Sequence, residues 1–411
     1  MVYVLNKNGN PLMPCKEAKA RHLLRDKKAK VVKKIPFTIQ LLFDCEENTQ
    51  PISLGIDAGS KHIGVSATTE TKVLYEADVE LRNDIVNLIS TRGELRRTRR
   101  NRKTRYRKAR FNNRKREKGW IAPSVKQKIE THLQVVKDVH KILPISRITV
   151  ETASFDIQKI KNPLIQGDEY QHGDQLGFWN IREYVLWRDN HICQCCKGKS
   201  GDKVLNVHHI ESRKIGGDAP NNLITLCETC HIGYHKGVVT LPKGIKRGMS
   251  FKDAAFMGIM RWAFYDKLKQ NYPNVHMTFG YITKNIRIGN GLPKDHYIDA
   301  RCISGNPLSK TNGIVYYQKK VRRHNRKIYK DKILKGGVVK RNQCQYEMFG
   351  FHRYDLVKYD NRLCYVNSLR TSGSFQIKDL TDKDFKKGIS YKKIKKIQNR
   401  NGFITNFIKI A

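Results

Sequence analysis

The chain of 411 residues carries 80 lysines and arginines against 37 aspartates and glutamates, and its formal net charge at pH 7 is +43. A charge of this size exceeds what solubility requires and indicates a large nucleic-acid partner, held through the release of counterions. Hydrophobic residues make up 39% of the chain, which excludes a disordered polycation. No apolar run approaches the roughly 20 residues that span a bilayer, so a membrane surface is the weaker alternative and no membrane partner is expected.

The first 50 residues predict a small N-terminal domain. A short strand at 2–6 and a turn at 8–11 precede a basic helix at 17–28, and two short strands interrupted at Pro36 follow it. The opening reads as a strand and a turn, and not as the charged and then apolar stretch of a signal peptide. We therefore expect the protein to stay in the cytoplasm.

The stretch 52–70 predicts a β-hairpin with an acidic residue in its first strand. An apolar strand ends in Asp57, a tight turn containing glycine follows, and a second strand runs back. A strand buried in a sheet holds a carboxylate rigidly for a divalent ion, and RNase H-like nucleases begin in this way. Sugar kinases and other actin-like ATPases start similarly and use the turn to bind phosphate, so this hairpin alone leaves both classes open.

An arginine-rich run from Arg92 to Lys118 lies in the first third of the chain. Lysine and arginine fill 15 of its 27 positions, and the absence of Pro and Gly after Glu94 allows a helix of about 25 residues, about 37 Å long. Like charges one turn apart destabilise such a helix until it binds a polyanion. A disordered basic tail is the alternative, opposed by the apolar residues within the run. The arginines expected to contact nucleic acid are Arg96, Arg97, Arg99, Arg100, Arg102, Arg105, Arg107, Arg110, Arg114 and Arg116.

A helix and a strand after this run supply a second acidic residue. The helix is predicted from Ser124, with Ser124 and Gln127 as a capping box. The strand at 147–155 carries Glu151. A glutamate at the end of a strand is more often structural or solvated. A functional role for Glu151 is therefore supported only by the residues that are expected to lie near it.

A third acidic residue follows much later in the chain. A helix is predicted to open at Ser250, and a strand at 275–283 comes after it. The stretch 291–304 reads as a loop leading into a helix, in which His296 and Asp299 lie one turn apart on one face. A histidine and an aspartate in this arrangement more often form a pair on the protein surface. A functional role for them therefore depends on the other residues near them.

Four of the ten cysteines form two clustered pairs. Cys193-x-x-Cys196 and Cys227-x-x-Cys230 have the spacing of a structural zinc site. Cys195 competes with Cys196, but the CxxC spacing favours Cys196. Free structural cysteines are the alternative. The other cysteines are scattered, which suits a reducing cytosol better than a disulfide framework.

Histidines close to these cysteines match the HNH nuclease motif. His209, uncharged near neutral pH, can accept the proton of an attacking water. The motif implies that His208 and His231 hold one Mg²⁺ ion, and that Asn222 fixes the loop and orients His209. An aspartate often stands where this chain has His208, so the ligand role is less firmly implied than the base role. His235 is extra and reads as a structural or zinc-adjacent residue.

Two further stretches resemble the transposon-encoded IscB endonucleases, ancestor-like relatives of the type II CRISPR effectors. NGNPLMPC, at 8–15, is similar to the opening of their PLMP domain, and PKDHYIDA, at 293–300, resembles their third RuvC segment. Together with the HNH motif and the arginine-rich run, the resemblance covers essentially the whole chain.

The resemblance implies a second, RuvC-like nuclease centre. Asp57, Glu151 and Asp299 are expected to converge although they lie far apart in the sequence, and His296 is expected to help activate water. Three such carboxylates would repel one another without cations, so Mg²⁺ or Mn²⁺ ions are expected between them.

The resemblance also implies RNA-guided cleavage of double-stranded DNA. A guide RNA, called omega RNA in the family, recognises the target by base pairing, while the protein reads a short flanking motif. The HNH centre is expected to cut the guide-paired strand and the RuvC-like centre the displaced strand. The expected particle is a monomeric protein within a ribonucleoprotein, in the prokaryotic cytoplasm and associated with the nucleoid when it acts on DNA.

The implied architecture is an α/β multidomain protein. An RNase H-like (RuvC) mixed sheet is split by the arginine-rich bridge helix and by an inserted ββα-metal HNH domain, with small PLMP and β-rich domains at the two ends. The expected boundaries are 1–50 for the PLMP domain, 51–91, 121–175 and 246–318 for the RuvC-like segments, 92–120 for the bridge helix, 176–245 for the HNH domain with its zinc knuckles, and 319–411 for the basic C-terminal domain, which is expected to read the flanking motif.

Two other functions stay open on the sequence. An RNA-independent HNH homing endonuclease or junction resolvase would cut DNA as purified, RNA-free protein. An inactive relative that only binds nucleic acid would lack catalytic residues, whereas both expected sets are present here.

Overall fold

The chain folds into two compact units in the computed structural model. The first contains Met1–Ala153 together with Met257–Ala411, and the second is Ser154–Phe256, inserted in the sequence of the first. The structure describes residues 1–101, 119–152, 177–178, 180–213, 217–242, 252–322, 332–333, 339–340 and 346–409. Within these ranges, no helix is both long enough and apolar enough to cross a membrane.

A four-stranded sheet forms the N-terminal part of the first unit. Its elements are β1 (Val2–Leu5), β2 (Pro11–Cys15), helix α1 (Glu17–Arg25), β3 (Ala29–Lys33) and β4 (Thr38–Leu41). The strand order is β2-β1-β4-β3, with β1 and β4 parallel. Helix α1 ends before the predicted Lys28, because Lys27 adopts a left-handed φ of 56° that a right-handed helix cannot continue through.

A second sheet begins with the predicted hairpin around Asp57. The elements of this stretch are β5 (Ser53–Ala58), β6 (His62–Thr68), β7 (Val73–Glu80), α2 (Ile85–Asn101), α3 (Pro123–His140) and β8 (Arg147–Thr152). Strands β5, β6 and β7 are antiparallel neighbours, and β5 also pairs in parallel with β8. Their side chains are buried almost throughout, so the hairpin is a fixed part of the core.

The two helices of this stretch begin at other residues than the sequence predicts. Helix α2 starts at Ile85 and passes through Gly93, since one glycine inside a helix costs only about 1 kcal/mol. The continuation of the arginine-rich helix over 102–118 lies outside the described residues. The predicted capping box of Ser124 is wrong, because Pro123 occupies the first helical position, where its fixed φ favours the start of a helix. Gln127 donates to Thr131 Oγ1 instead, at 2.8 Å.

The second unit contains a ββα module. Its elements are α4 (Ile181–Arg188), β9 (Leu205–His209), β10 (Leu223–Cys227) and α5 (Glu228–His235). Asn180 caps α4 by accepting a hydrogen bond from the Glu183 amide at 3.0 Å. Strands β9 and β10 pair in an antiparallel register that sets Leu223 opposite His209. Ile224 and Leu226 pack with the buried cysteines to form the small core of this module.

The chain then returns to the first unit. The next elements are α6 (Lys252–Asn271), β11 (Val275–Phe279), α7 (Gly280–Gly289), α8 (His296–Ser304) and β12 (Ile314–Lys320). The predicted start of α6 at Ser250 lies outside the described part of the chain. The predicted strand 275–283 is too long, because the chain turns into α7 at Gly280, and Ile282 and Ile286 then follow the helical period of four.

A seven-stranded mixed sheet is the centre of the first unit. Its order is β11-β8-β5-β6-β7-β12-β22, where β22 is the last strand of the chain (Phe403–Lys409). Strand β8 is parallel to both β5 and β11, and β12 is parallel to β7. Strand β22 pairs antiparallel with β12. The end of the chain therefore belongs to the same sheet as Asp57, although the sequence places it in the C-terminal domain.

A five-stranded antiparallel sheet lies between β12 and β22 in the sequence. The remaining strands are β13 (Lys332–Ile333), β14 (Val339–Lys340), β15 (Glu347–Met348), β16 (Phe351–His352), β17 (Leu356–Tyr359), β18 (Arg362–Ser368), β19 (Ser374–Lys378), β20 (Asp384–Ser390) and β21 (Lys395–Gln398). The order of the five is β20-β19-β18-β17-β21. Phe375 and Ile377 are fully buried in its core, so this β-rich part has a hydrophobic core of its own.

Candidate active sites

Three carboxylates from separate parts of the sequence share one site in the first unit. Asp57 lies in β5, Glu151 in its parallel neighbour β8, and Asp299 in the first turn of α8. Burial raises the pKa of Glu151, and the negative charges of Asp57 and Asp299 raise it further. Burial and the charge of Asp57 likewise raise the pKa of Asp299. These carboxylates lie close enough to repel one another, and oxygen donors of this kind fit Mg²⁺ or Mn²⁺.

Two arginines that the sequence analysis missed belong to this site. Arg261 Nη2 lies 3.0 Å from Glu151 Oε1, and the Arg261 Nε donates to the Ala58 carbonyl at 2.9 Å. Arg287 Nε lies 2.8 Å from Asp299 Oδ1. Both guanidinium groups are largely buried, so they partly balance the carboxylate charges. An arginine within the buried face of α6 is the sequence signal that could have found Arg261.

Side chains on two neighbouring strands, Asp57 on β5 and His62 on β6, hold the His296 ring in place. Its Nδ1 lies 2.8 Å from Asp57 Oδ2, and this hydrogen bond raises the pKa of His296. The His296 ring stacks on His62 with 5.3 Å between centroids and 4° between planes. His62 Nδ1 in turn lies 2.9 Å from Asp78 Oδ1. The pair of His62 and Asp78, which the sequence analysis also missed, therefore fixes one face of the His296 ring.

Two glycines allow α8 to approach the sheet closely enough to build this site. A Cβ on Gly55 would lie 1.9 Å from the Ala300 carbonyl oxygen, and a Cβ on Gly64 would lie 1.9 Å from the His296 carbonyl oxygen. Both contacts are with helix backbone, which cannot rotate out of the way. The short distance between His296 and Asp57 therefore depends on the missing side chain at Gly64.

We expect Gly64→Ala to lower the free energy of unfolding by about 2 kcal/mol, as overpacking typically does, and to move the first turn of α8 away from Asp57. Cleavage by the carboxylate centre should fall with it, which strand-specific cleavage and thermal melting would measure. Gly258→Ala in α6 is the matched control, because nothing lies within 4 Å of its added Cβ. A Gly64→Ala protein with unchanged stability and cleavage would contradict the close-packing argument.

Four cysteines in the second unit form a compact cluster. The sulfurs of Cys193, Cys196, Cys227 and Cys230 all lie within 4.8 Å of one another. The 3.8 Å between Cys196 Sγ and Cys227 Sγ equals the spacing of about 3.8 Å that tetrahedral zinc–sulfur bonds of about 2.3 Å require. A hydrogen bond with Ser200 lowers the pKa of Cys196 to about 6, which favours the thiolate. The cluster could hold Zn²⁺.

Cys195 is turned away from this cluster. Its Sγ lies 3.7 Å from the Thr240 carbonyl oxygen, and it is not among the four sulfurs that could share a metal ion. The sequence spacing, which favours Cys196 over Cys195, agrees with this placement.

Three histidines form a second cluster in the ββα module. The ring nitrogens of His208, His231 and His235 lie within 4.8 Å of one another, with 3.3 Å between the Nε2 atoms of His231 and His235. Burial and the neighbouring histidines lower the pKa of His208 to about 4, which keeps its ring neutral. Its buried Nε2 has no hydrogen-bond partner among the described residues. His235 therefore lies in one cluster with the expected ligands His208 and His231.

His209 has an acidic partner that the sequence analysis missed. Its Nε2 lies 2.9 Å from Asp218 Oδ1, and Arg213 Nη2 lies 2.7 Å from Asp218 Oδ2. The hydrogen bond with His209 lowers the pKa of Asp218. A proton on His209 Nε2, donated to Asp218, leaves a lone pair on Nδ1 that can accept a proton. The ring itself is partly exposed.

Asn222 holds the loop that follows β9. Its Oδ1 accepts from the Glu211 amide at 2.8 Å, and its Nδ2 donates to the carbonyls of Glu211 and Gly217 at 3.0 and 2.9 Å. These bonds fit the expected loop-fixing role. The His209 ring is hydrogen-bonded to the Asp218 side chain, whereas these hydrogen bonds of Asn222 are all with the backbone of the loop.

The expected nucleic-acid contacts fall only partly within the described residues. Arg96 and Arg97 lie on α2 and are exposed. The side chains of Arg99 and Arg100, and the whole of Arg102, Arg105, Arg107, Arg110, Arg114 and Arg116, lie outside the described part of the chain.

The chain is similar to two known protein families. Residues 2–173 match the RRXRR protein family, and residues 193–237 match the HNH endonuclease family. A search of curated protein sequences found no match.

The chain also resembles solved structures of Streptococcus thermophilus Cas9. The structure in complex with the GGAA PAM has 14% identity and a TM-score of 0.34, covering 50% of this chain and 29% of that one. The complex with the AGGA PAM has 13% identity and a TM-score of 0.34, covering 53% and 31%. The chain thus spans less than a third of the length of the Cas9 chains it matches.

The HNH match falls on the module that carries the cysteine and histidine clusters. The RRXRR match covers the stretch with Asp57 and Glu151.

Proposed function

We propose that the chain is an RNA-guided endonuclease that cuts both strands of double-stranded DNA. The HNH centre cuts the guide-paired strand, and the RuvC-like centre cuts the displaced strand. The observation that carries the proposal is that the chain has two separate groups of potential metal ligands. One group consists of carboxylates and the other of imidazoles, in a chain with a net charge of +43. Two independent centres suit a substrate with two strands to cut, and the charge suits a ribonucleoprotein.

In the RuvC-like centre, Asp57, Glu151 and Asp299 would hold Mg²⁺ or Mn²⁺. Such ions supply Lewis-acid stabilisation of the phosphodiester and acidify the attacking water. His296, fixed by Asp57 and by its stack on His62, is placed to exchange a proton near these carboxylates. The mixed sheet with antiparallel β5, β6 and β7 flanked by parallel β8 supports an RNase H-like domain.

In the HNH centre, His209 is the general base and Asp218 holds its ring through Nε2. His208, His231 and His235 would hold one divalent ion, which stabilises the charge that develops on the phosphate. Three imidazole nitrogens suit Mn²⁺ or another transition metal better than the Mg²⁺ expected from the sequence, because Mg²⁺ prefers oxygen ligands. The four clustered cysteines would hold a structural Zn²⁺ ion, which would tie β10 and α5 to the loop at Cys193 and Cys196.

We further propose the domain boundaries given by the sequence, with β22 added to the RuvC-like sheet. The arginine-rich run at 92–120 is the bridge helix that binds guide RNA, which the exposed Arg96 and Arg97 support. The basic β-rich part within 319–402 reads the motif flanking the target. The protein acts as a monomer within its ribonucleoprotein, in the cytoplasm of a prokaryotic cell.

Expression of the protein together with the DNA that flanks its gene tests the proposal. We expect one structured RNA of discrete length to co-purify, because a bare chain of charge +43 needs a polyanion, and we expect the purified complex to cut only DNA that matches this RNA. Sequencing of the bound RNA is the measurement, and the matched control is a target with a scrambled guide-paired segment. Cleavage by RNA-free protein, or a random mixture of bound RNAs, would favour the RNA-independent endonuclease instead.

A further inference from the structure

Two aromatic side chains are exposed side by side on the first unit. Phe279 ends β11, and Tyr281 lies in the first turn of α7. Their rings stack with 6.2 Å between centroids and 9° between planes, and 37% of Phe279 and 66% of Tyr281 is exposed. Exposed, parallel aromatic rings have no role in a hydrophobic core, so their place on the fold determines what they can do.

The two aromatic residues flank a corner of the backbone that packs against the carboxylate centre. Strand β11 runs parallel to β8 in a register that sets Thr278 opposite Glu151 and Phe279 opposite Thr152. A Cβ on Gly280, between the two aromatic residues, would lie 3.2 Å from Glu151 Oε1. The corner between β11 and α7 thus packs directly against a proposed metal ligand, and Phe279 and Tyr281 are the residues on either side of this corner in the sequence.

The chemistry around the pair fits a nucleic acid. Lys284 lies one turn after Tyr281 on α7 and is exposed. Aromatic rings with cationic neighbours bind single-stranded nucleic acid, because the rings stack on bases while the cations attract phosphates. A paired base has both faces covered by its neighbours in the duplex, so the pair is suited to an unpaired strand.

We propose that Phe279 and Tyr281 form a stacking platform that holds an unpaired base of the displaced DNA strand beside the phosphate cut in the RuvC-like centre. This inference rests on the proposed function, in which that centre cuts the displaced strand. The platform accepts any base, since every base has a face to stack, and it positions the strand without contributing to bond cleavage.

Strand-specific cleavage by the complete ribonucleoprotein tests the platform. We expect Tyr281→Ala to slow cutting of the displaced strand about tenfold, as the loss of one base–aromatic stack does, with Tyr281→Phe close to the unmodified protein. Cutting of the guide-paired strand in the same reaction should stay unchanged and serves as the internal control. Ile288→Ala, an exposed apolar residue on the same helix, is the matched control variant and should cut both strands normally.

A scan of single abasic sites along the displaced strand adds a readout that a structural role would not produce. With the unmodified protein, we expect one abasic position near the cut to slow cleavage about tenfold. With Tyr281→Ala, the same abasic site should cause no further loss, because the contact is already absent.

Three outcomes would overturn the inference. The stacking platform would be refuted if, at every abasic position, the abasic site and Tyr281→Ala slowed cleavage by independent factors that multiply. It would also be refuted if Tyr281→Phe and Tyr281→Ala slowed cleavage equally. Either result would leave the proposed function intact. A failure of the unmodified ribonucleoprotein to cut the displaced strand would refute both.

Discussion

Replacing Asp57 with alanine is expected to abolish cleavage of the displaced DNA strand and to leave the guide-paired strand fully cleaved. Asp57 interacts electrostatically with Glu151 and Asp299, and its carboxylate is hydrogen-bonded to His296. Its loss removes a proposed metal ligand and the hydrogen-bond partner of His296. Because a bound cation contributes several kcal/mol to transition-state stabilisation, the rate should fall by about 10³-fold or more. Gel analysis of DNA labelled on each strand separately would measure both rates.

Two controls belong with this experiment. Asp57→Asn keeps the shape of the side chain and removes its charge, so it should lose the same cut without loss of stability. His209→Ala should give the reciprocal result, with only the guide-paired strand left intact, since its ring is the proposed base of the other centre. Loss of both cuts in either single variant, with DNA binding preserved, would rule out two independent centres.

The combined replacement of Cys193 and Cys227 by serine is expected to release zinc and to unfold the ββα module. Structural zinc sites contribute about 10–16 kcal/mol of apparent binding free energy, and the two cysteines are also buried in the small core of this module. The unmodified protein should contain about one zinc ion per chain, measured by atomic absorption. Limited proteolysis should then cleave within the second unit, while the first unit, with its separate core, stays protected.

Cys195→Ser provides the matched control, because it changes an adjacent cysteine that lies outside the cluster. It should retain zinc and resist proteolysis as the unmodified protein does. Zinc retained in the double variant, or lost in Cys195→Ser alone, would show that the four clustered sulfurs are not the ligands.

The parts of the fold that local sequence patterns dictate were predictable. The hairpin around Asp57 shows the apolar run of a buried strand, and the paired CxxC spacing fixes which sulfurs can meet. The end of β11 was not predictable in this way, because 275–283 is compatible with a strand until Gly280, where packing against Glu151 decides. The start of α3 was missed because the proline effect at Pro123 outweighed a formally correct capping box.

The site was predictable only where a motif names the residues. Arg261 and Arg287 form ion pairs with carboxylates on other elements of the fold, and no local sequence pattern predicts such an ion pair. Asp218 sits in a loop whose path is set by the hydrogen bonds of Asn222, so its approach to His209 depends on tertiary structure. His235 did carry a local signal: it follows His231 by one helical turn, which places both rings on one face of α5.

The insertion of the second unit between β8 and β11 has a consequence for how the sheet can assemble. Parallel neighbours always need a long connection that leaves the sheet and returns, and here α6 lies within that connection. The second unit lengthens the connection from about 20 to about 120 residues, which raises the entropy cost of closing it by only about 1.6 kcal/mol, since that cost grows with the logarithm of length. A crossover between parallel strands is thus a place where a chain can acquire a second enzyme at little cost to the folding of the first.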